Sequence, residues 1–286
     1  MRVMSSDHVS VALHDLGGSG PRLLFSHATG FHGYCYLPIA DRLAARFDSW
    51  AFDHRGHGST PRDRTGGVDW EKYGDDALAV ARSLTADREG SGREQGLVAF
   101  GHSMGGASLI MAAERDPDLF AAVIAFEPIV IPPLPDTSAT DGPLPIAEAA
   151  RRRRPSFESF AAALDNYASK PPMSSFDPDV LRLYVGHGFG PAPEGVRLKC
   201  DPEHEALTFE GGQEHATFER LGQIDTPIAV LYGDDEMGPA RFAPAVAAGL
   251  ANGLDVHVEG VDHFAPYVVP DRLADLIVSL GERLTA

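Results

Sequence analysis

Ser103 stands in Gly101-His102-Ser103-Met104-Gly105-Gly106, a G-x-S-x-G pattern suited to presenting a nucleophilic hydroxyl. The apolar run Gly96-Leu97-Val98-Ala99-Phe100 before it reads as a buried strand, and Ala107 to Glu114 after it reads as a helix, so the serine falls on a strand-to-helix turn. Glycines at 101 and 105 would allow a tight, strained turn that holds the hydroxyl out of the fold. A serine hydroxyl is a weak nucleophile. It needs a base within reach, and the base needs a carboxylate to fix its tautomer and stabilise the imidazolium. His263, in Gly260-Val261-Asp262-His263-Phe264, is the candidate base. Carboxylates are available at Glu127, which ends the run Phe120 to Phe126, and in the cluster Asp234-Asp235-Glu236. Backbone N–H groups of Met104 and of Thr29 or Gly30 are the candidate oxyanion donors.

These residues sit where an alternating series of strands and helices must end its strands. Strands are expected at His8 to Leu13, Arg22 to Ser26, Ser49 to Asp53, Phe120 to Phe126, Pro227 to Tyr232 and Leu254 to Val258. Helices are expected at Pro38 to Phe47, Asp75 to Thr85, Pro239 to Leu250 and Arg272 to Arg283, with a polar surface loop at Asp87 to Gln95. Such alternation predicts an α/β protein with a mostly parallel, doubly wound sheet, whose ligands bind beyond the carboxyl ends of the strands. The rhythm breaks between 129 and 222. Prolines 132, 133, 135, 143 and 145 are unsuited to a central strand, and Pro145 to Ala168 is helix-like. The expected division is therefore a core of 1–128 and 223–286 with an inserted, largely helical subdomain at 129–222.

Within the insertion, Phe157, Phe160, Leu164 and Tyr167 recur at helical spacing and are expected to pack it onto the core. Phe31, His102, Phe160, Tyr167 and Phe264 are the candidate substrate contacts. His27, His54, His57 and His102 flank the site, where such side chains more often bond loop carbonyls than catalyse. His187, His204 and His215, with Glu203 and Glu205, have irregular spacing that suits solvated surface better than a metal site. Arg151 to Arg154 could grip an anion, but four consecutive residues point around a whole helical turn, so at most one or two can face a pocket, and solvated surface is the expected place of the run.

Composition narrows the partners. The 286 residues, 43% of them hydrophobic, can bury a large core. A net charge of -17 opposes binding to phosphate backbones or anionic lipid, so neither nucleic acid nor membrane is expected as a partner. No run has the length of a membrane span, and Met1 to Val9 has no signal-peptide core, which reads as cytoplasmic. Cys35 and Cys200 lie far apart and read as free thiols. No metal or cofactor motif is present, and composition leaves the oligomeric state open.

The motifs His27-Ala28-Thr29-Gly30, Asp53-His54-Arg55-Gly56-His57-Gly58-Ser59, Gly101-His102-Ser103-Met104-Gly105 and Asp262-His263-Phe264, in this order, resemble the α/β-hydrolase superfamily. The resemblance spans nearly the whole chain outside 129–222, which is similar to that superfamily's variable cap. Ala28 departs from the glycine common there. Serine at 103, where haloalkane dehalogenases and epoxide hydrolases carry aspartate, argues against both activities. The commoner arrangement of the superfamily places the acid after the seventh strand, at Asp234, Asp235 or Glu236. A minority arrangement, shared with zearalenone-type lactonases, places it after the sixth, which matches Glu127. Glu127 is preferred, because a carboxylate at the end of a buried strand is expensive without a partner, whereas the crowded cluster is easily solvated on a loop.

The reading that follows is a cofactor-free serine hydrolase of carboxylic esters or lactones, acting through an acyl-enzyme on a moderately apolar small molecule. The alternatives are a carbon–carbon bond or thioester hydrolase with the same triad, and a ligand receptor on the same fold.

Overall fold

A strand whose every residue is apolar has no face to show to water, and Phe120–Phe126 is buried along its whole length in the middle of a sheet covered on both sides. The computed structural model describes residues 1–63, 67–86, 96–133 and 144–286. Within them the core strands are β1 (Arg2–Met4), β2 (Ser10–Gly18), β3 (Arg22–Ser26), β4 (Asp48–Asp53), β5 (Leu97–His102) and β6 (Phe120–Phe126). After the insertion, with its own strands β7 (Ser156–Phe157), β8 (Phe189–Ala192) and β9 (Gly195–Leu198), come β10 (Ile228–Tyr232) and β11 (Gly253–His257). The core sheet runs β1-β2-β4-β3-β5-β6-β10-β11. Strands β1 and β2 are antiparallel to their neighbours, and all other pairs are parallel.

Alternation along each strand feeds two apolar layers. Val123 and Ala125 join the layer covered by α2 (Glu71–Thr85), α3 (Met104–Arg115) and α9 (Ala243–Gly249), while Ile124 and Phe126 join that covered by α1 (Leu37–Leu43) and α11 (Pro270–Thr285). The short α10 (Ala265–Val268) leads into α11. This is the expected doubly wound architecture, with β3 and β6 at the bounds read from sequence and β1 as an unread edge strand.

The chain between β6 and β10 carries α4 (Pro145–Arg151), α5 (Phe160–Ala168), α6 (Pro178–Gly188), α7 (Pro202–Glu210) and α8 (Thr217–Arg220), together with a small sheet ordered β7-β9-β8. The stretch Pro145 to Ala168 is not one helix. Pro155 drives Arg154 away from helical backbone, β7 follows, and the Ser159 hydroxyl caps α5 by accepting from the Ala162 N–H. Helices α6 and α7 both open on an Asp-Pro pair, with Asp177 and Asp201 accepting from first-turn amides. The loop Asp87 to Gln95 and the prolines at 135 and 143 lie outside the described residues. Among the described residues no helix is long and apolar enough to cross a membrane.

Candidate active site

Ser103 joins β5 to α3 with φ 57° and ψ -117°, a left-handed conformation that costs a side-chain-bearing residue about 1–3 kcal/mol. The turn is held from both sides. The Ser103 N–H donates to the Phe126 carbonyl at 2.9 Å. A β-carbon on Gly105 would lie 2.1 Å from the Ser26 carbonyl oxygen, so glycine alone lets α3 descend onto β3. Ser103 then faces a cavity of about 400 Å³, predominantly apolar in lining, with His263, Phe31 and Phe264 on the core side and Tyr167, Tyr184 and Met173 opposite.

His263 lies in the loop after β11, and its Nδ1 is 2.6 Å from Oε2 of Glu127. Glu127 is fully buried, and its own backbone is left-handed at φ 45°. The second carboxylate oxygen, Oε1, accepts from the Gly233 N–H at 2.9 Å, so both oxygens are engaged. The rival cluster is exposed and turned elsewhere. Asp234 holds the His257 ring at 2.7 Å and accepts from the Gly260 N–H, Asp235 accepts from the Met237 N–H, and Glu236 projects from the same loop.

Beside the serine, the Thr29 hydroxyl donates to the Met104 sulfur at 3.5 Å, so the loop after β3 and the start of α3 are in contact. The backbone N–H groups of Thr29 and Gly30 donate to no acceptor among the described residues. This loop rests on His27. The His54 N–H donates to Nε2 of His27 at 2.9 Å, which leaves Nδ1 protonated to donate to the Ala28 carbonyl at 2.8 Å. Burial, then repulsion from His54, brings the His27 pKa down to about 3, so the ring stays neutral. His54 sits 2.8 Å from the Ser26 hydroxyl, and His57 donates through Nδ1 to the Arg55 carbonyl; these rings brace loops, as expected. His102 is buried with its ring 4.7 Å from that of His263, and burial, with His263 next, pushes its pKa well below the usual value.

The structure corrects three expectations. Phe160 does not line the cavity; as the first residue of α5 it lies past the covered face that Ala163, Leu164 and Tyr167 share, and it is 43% exposed. The insertion's histidines are not solvated surface. His204 is buried against the Arg55 carbonyl, His215 stacks on Trp70 and contacts the Ile129 carbonyl, and His187 stacks on Tyr34. Of the four arginines only Arg153 enters the cavity, where it meets Glu205, Tyr167 and Tyr184. Tyr184 and Met173 carried no local sequence signal, since they reach the cavity from separate segments of the chain between β6 and β10. Among the described residues no group of three or more His, Cys, Asp or Glu side chains is placed to hold a metal ion.

A sequence model of the Alpha/beta hydrolase family matches residues 23–276. The chain is 26% identical over 278 residues to the 2-(acetamidomethylene)succinate hydrolase of Mesorhizobium japonicum, the match covering 94% of each chain. A solved structure of E-2-(acetamidomethylene)succinate hydrolase superimposes with a TM-score of 0.77 at 24% identity, covering 98% of this chain and 97% of the other. The enol-lactonase of Burkholderia xenovorans superimposes with a TM-score of 0.68 at 19% identity, covering 98% of both.

Proposed function

The chain belongs to the α/β-hydrolase family, and from that premise we propose that it is a serine hydrolase that cleaves a carboxylic ester or lactone of a moderately apolar small molecule through an acyl-enzyme. The observation that carries this reading is the 2.6 Å contact between His263 Nδ1 and the buried Glu127 carboxylate, beside a serine held at positive φ in the same cavity. Relatives named as a hydrolase of 2-(acetamidomethylene)succinate and as an enol-lactonase support hydrolysis as the reaction class.

In this mechanism Glu127 keeps the His263 proton on Nδ1, so Nε2 is free to accept the Ser103 proton as the hydroxyl oxygen attacks the substrate carbonyl. The carbonyl oxygen becomes an oxyanion. Its stabilisers are the backbone N–H of Met104, at the positive end of α3, and that of Thr29 or Gly30, none of which must reorganise during the reaction. His263 then gives its proton to the departing alkoxide, and water repeats the sequence to release the acid and restore Ser103. The apolar cavity would bind the substrate's hydrocarbon part and exclude competing water.

The test is covalent capture. A fluorophosphonate should add to Ser103, as read by peptide mass, and Ser103→Ala should lose both the label and turnover of p-nitrophenyl acetate, a loss on the order of 10⁶ in kcat. Labelling elsewhere, or turnover retained by a folded Ser103→Ala, would overturn it.

A further inference from the structure

One constellation in the cavity is not used by that chemistry. Arg153 follows α4, Tyr167 lies on α5, Tyr184 on α6 and Glu205 on α7, so four segments of the insertion bring polar groups to one place in a predominantly apolar lining. The Arg153 guanidinium donates through Nη1 to Oε2 of Glu205 and through Nη2 to the hydroxyls of Tyr167, at 3.0 Å, and Tyr184. Glu205 is only 5% exposed and Tyr184 1%. Taking such an ion pair out of water is costly, and hydrophobic replacements of similar volume often serve stability as well or better.

The pair is not fully occupied. Among the described residues, Nε and the second N–H of Nη1 on Arg153 make no hydrogen bond, nor does Oε1 of Glu205. Both Nη1 and Oε1 converge on Gly30. A β-carbon there would be 2.5 Å from Oε1 and 3.4 Å from Nη1, so open donor and open acceptor lie side by side against the loop of the candidate oxyanion donors. Charge decides what such a place favours. Glu205 has already neutralised Arg153, and its free oxygen would repel a carboxylate. Lys170, the other cation lining the cavity, is exposed and bonded to Asn166.

We propose that Arg153 and Glu205 form a specificity site for a neutral group carrying both an acceptor and a donor, such as a secondary carboxamide, near the scissile carbonyl of the substrate. The acceptor takes the open guanidinium N–H, and the donor gives to Oε1 of Glu205. The proposal rests on the serine hydrolase reading for turnover but not for binding.

Four nearly isosteric methyl esters test it: methyl N-acetylglycinate (donor and acceptor), methyl 4-oxopentanoate (acceptor only), methyl hydrogen succinate (carboxylate) and methyl 4-methylpentanoate (apolar). With each kcat/KM divided by that ester's alkaline hydrolysis rate, the acetamido ester should lead the apolar one by at least about tenfold, and the succinate should come last. Glu205→Gln should raise the succinate-to-apolar ratio by at least about tenfold, because Arg153 is then uncompensated. Should that variant not fold, the double variant Arg153→Met with Glu205→Gln leaves no buried charge unpaired and should erase the acetamido preference. Calorimetric binding of the same esters to Ser103→Ala should follow the wild-type order. If the wild type turns over none of them, the serine hydrolase reading falls while the binding order still decides this proposal. A succinate preference in the wild type, or acyl ratios unmoved in the variants, would mean that the ion pair merely fastens the cap to the core.

Discussion

The Gly233 N–H donates to Glu127 at 2.9 Å, and through this bond the loop after β10 serves the candidate triad with its backbone while its own carboxylates face solvent. The position after β10, the seventh strand of the core sheet in chain order, is thus still in use, but as a clamp on the candidate acid. Glu127→Gln tests it directly. The Gly233 N–H must keep an oxygen opposite it, which turns the glutamine NH₂ toward His263, forces Nδ1 to be the acceptor and leaves Nε2 protonated and inert as a base. We expect kcat to fall by roughly 10⁴ in a folded protein. Asp235→Asn and Glu236→Gln should each lower it by less than about tenfold, since exposed charges are screened. The reverse ranking would move the acid to the loop.

Two glycine substitutions should act with opposite signs. Gly105→Ala drives a β-carbon against the Ser26 carbonyl and should cost about 3 kcal/mol or more, read from urea midpoints. Gly186 is exposed within α6, with nothing within 4 Å of the added carbon, so Gly186→Ala should stabilise by about 0.5–1 kcal/mol. Equal effects would discredit the close approach of Gly105 to Ser26.

Acid should unfold this protein early. Burial brings His27 down to about 3 and His32 to about 4, and drives His54, His57 and His102 well below the ordinary value near 6.5. Below about pH 6.5 the unfolded chain binds protons that the folded one refuses, so stability is present above that pH and is lost as pH falls toward the folded values. His27 and His32 alone set a slope of about 2–3 kcal/mol per pH unit between pH 6 and 4. Urea midpoints measured at pH 7, 6 and 5 should drop progressively. A flat series would mean that these rings can ionise in place.

Residues of the insertion should divide by position. Met173→Ala, which changes the cavity wall, should shift the preference between short and long acyl esters by about 1–3 kcal/mol, whereas exposed Phe160→Ala should leave it in place. Similar shifts from both would put Phe160 back in the pocket.

The central strands β3, β5, β6 and β10 were legible because continuous apolar runs allow little else, and the motifs at their ends followed, whereas the edge strand β1 and the short strands β7 to β9 have no such run. Local pattern failed where the partner is remote in sequence. His204 is buried because the Arg55 carbonyl, 149 residues away, needs its ring, and no spacing around His204 records that. Likewise Arg151 to Arg154 are chemically alike on paper. Arg151 bonds Glu203 and Glu210 at the surface, while Arg153, just before the chain breaks at Pro155, turns inward. The run announced a guanidinium, and only the folded insertion selects which one.

The strands that flank the insertion, β6 and β10, are hydrogen-bonded neighbours, with Val123 to Phe126 paired against Ile228 to Leu231. The insertion therefore departs from and returns to the sheet at one seam, and the register of the core strands does not depend on what lies between. Closing a flexible loop costs only about 0.6 kcal/mol more for each doubling of its length, so this seam is permissive to exchange. A different insertion placed between Glu127 and Pro227 would leave the contact between Glu127 and His263, and the turn at Ser103, in the core that carries them.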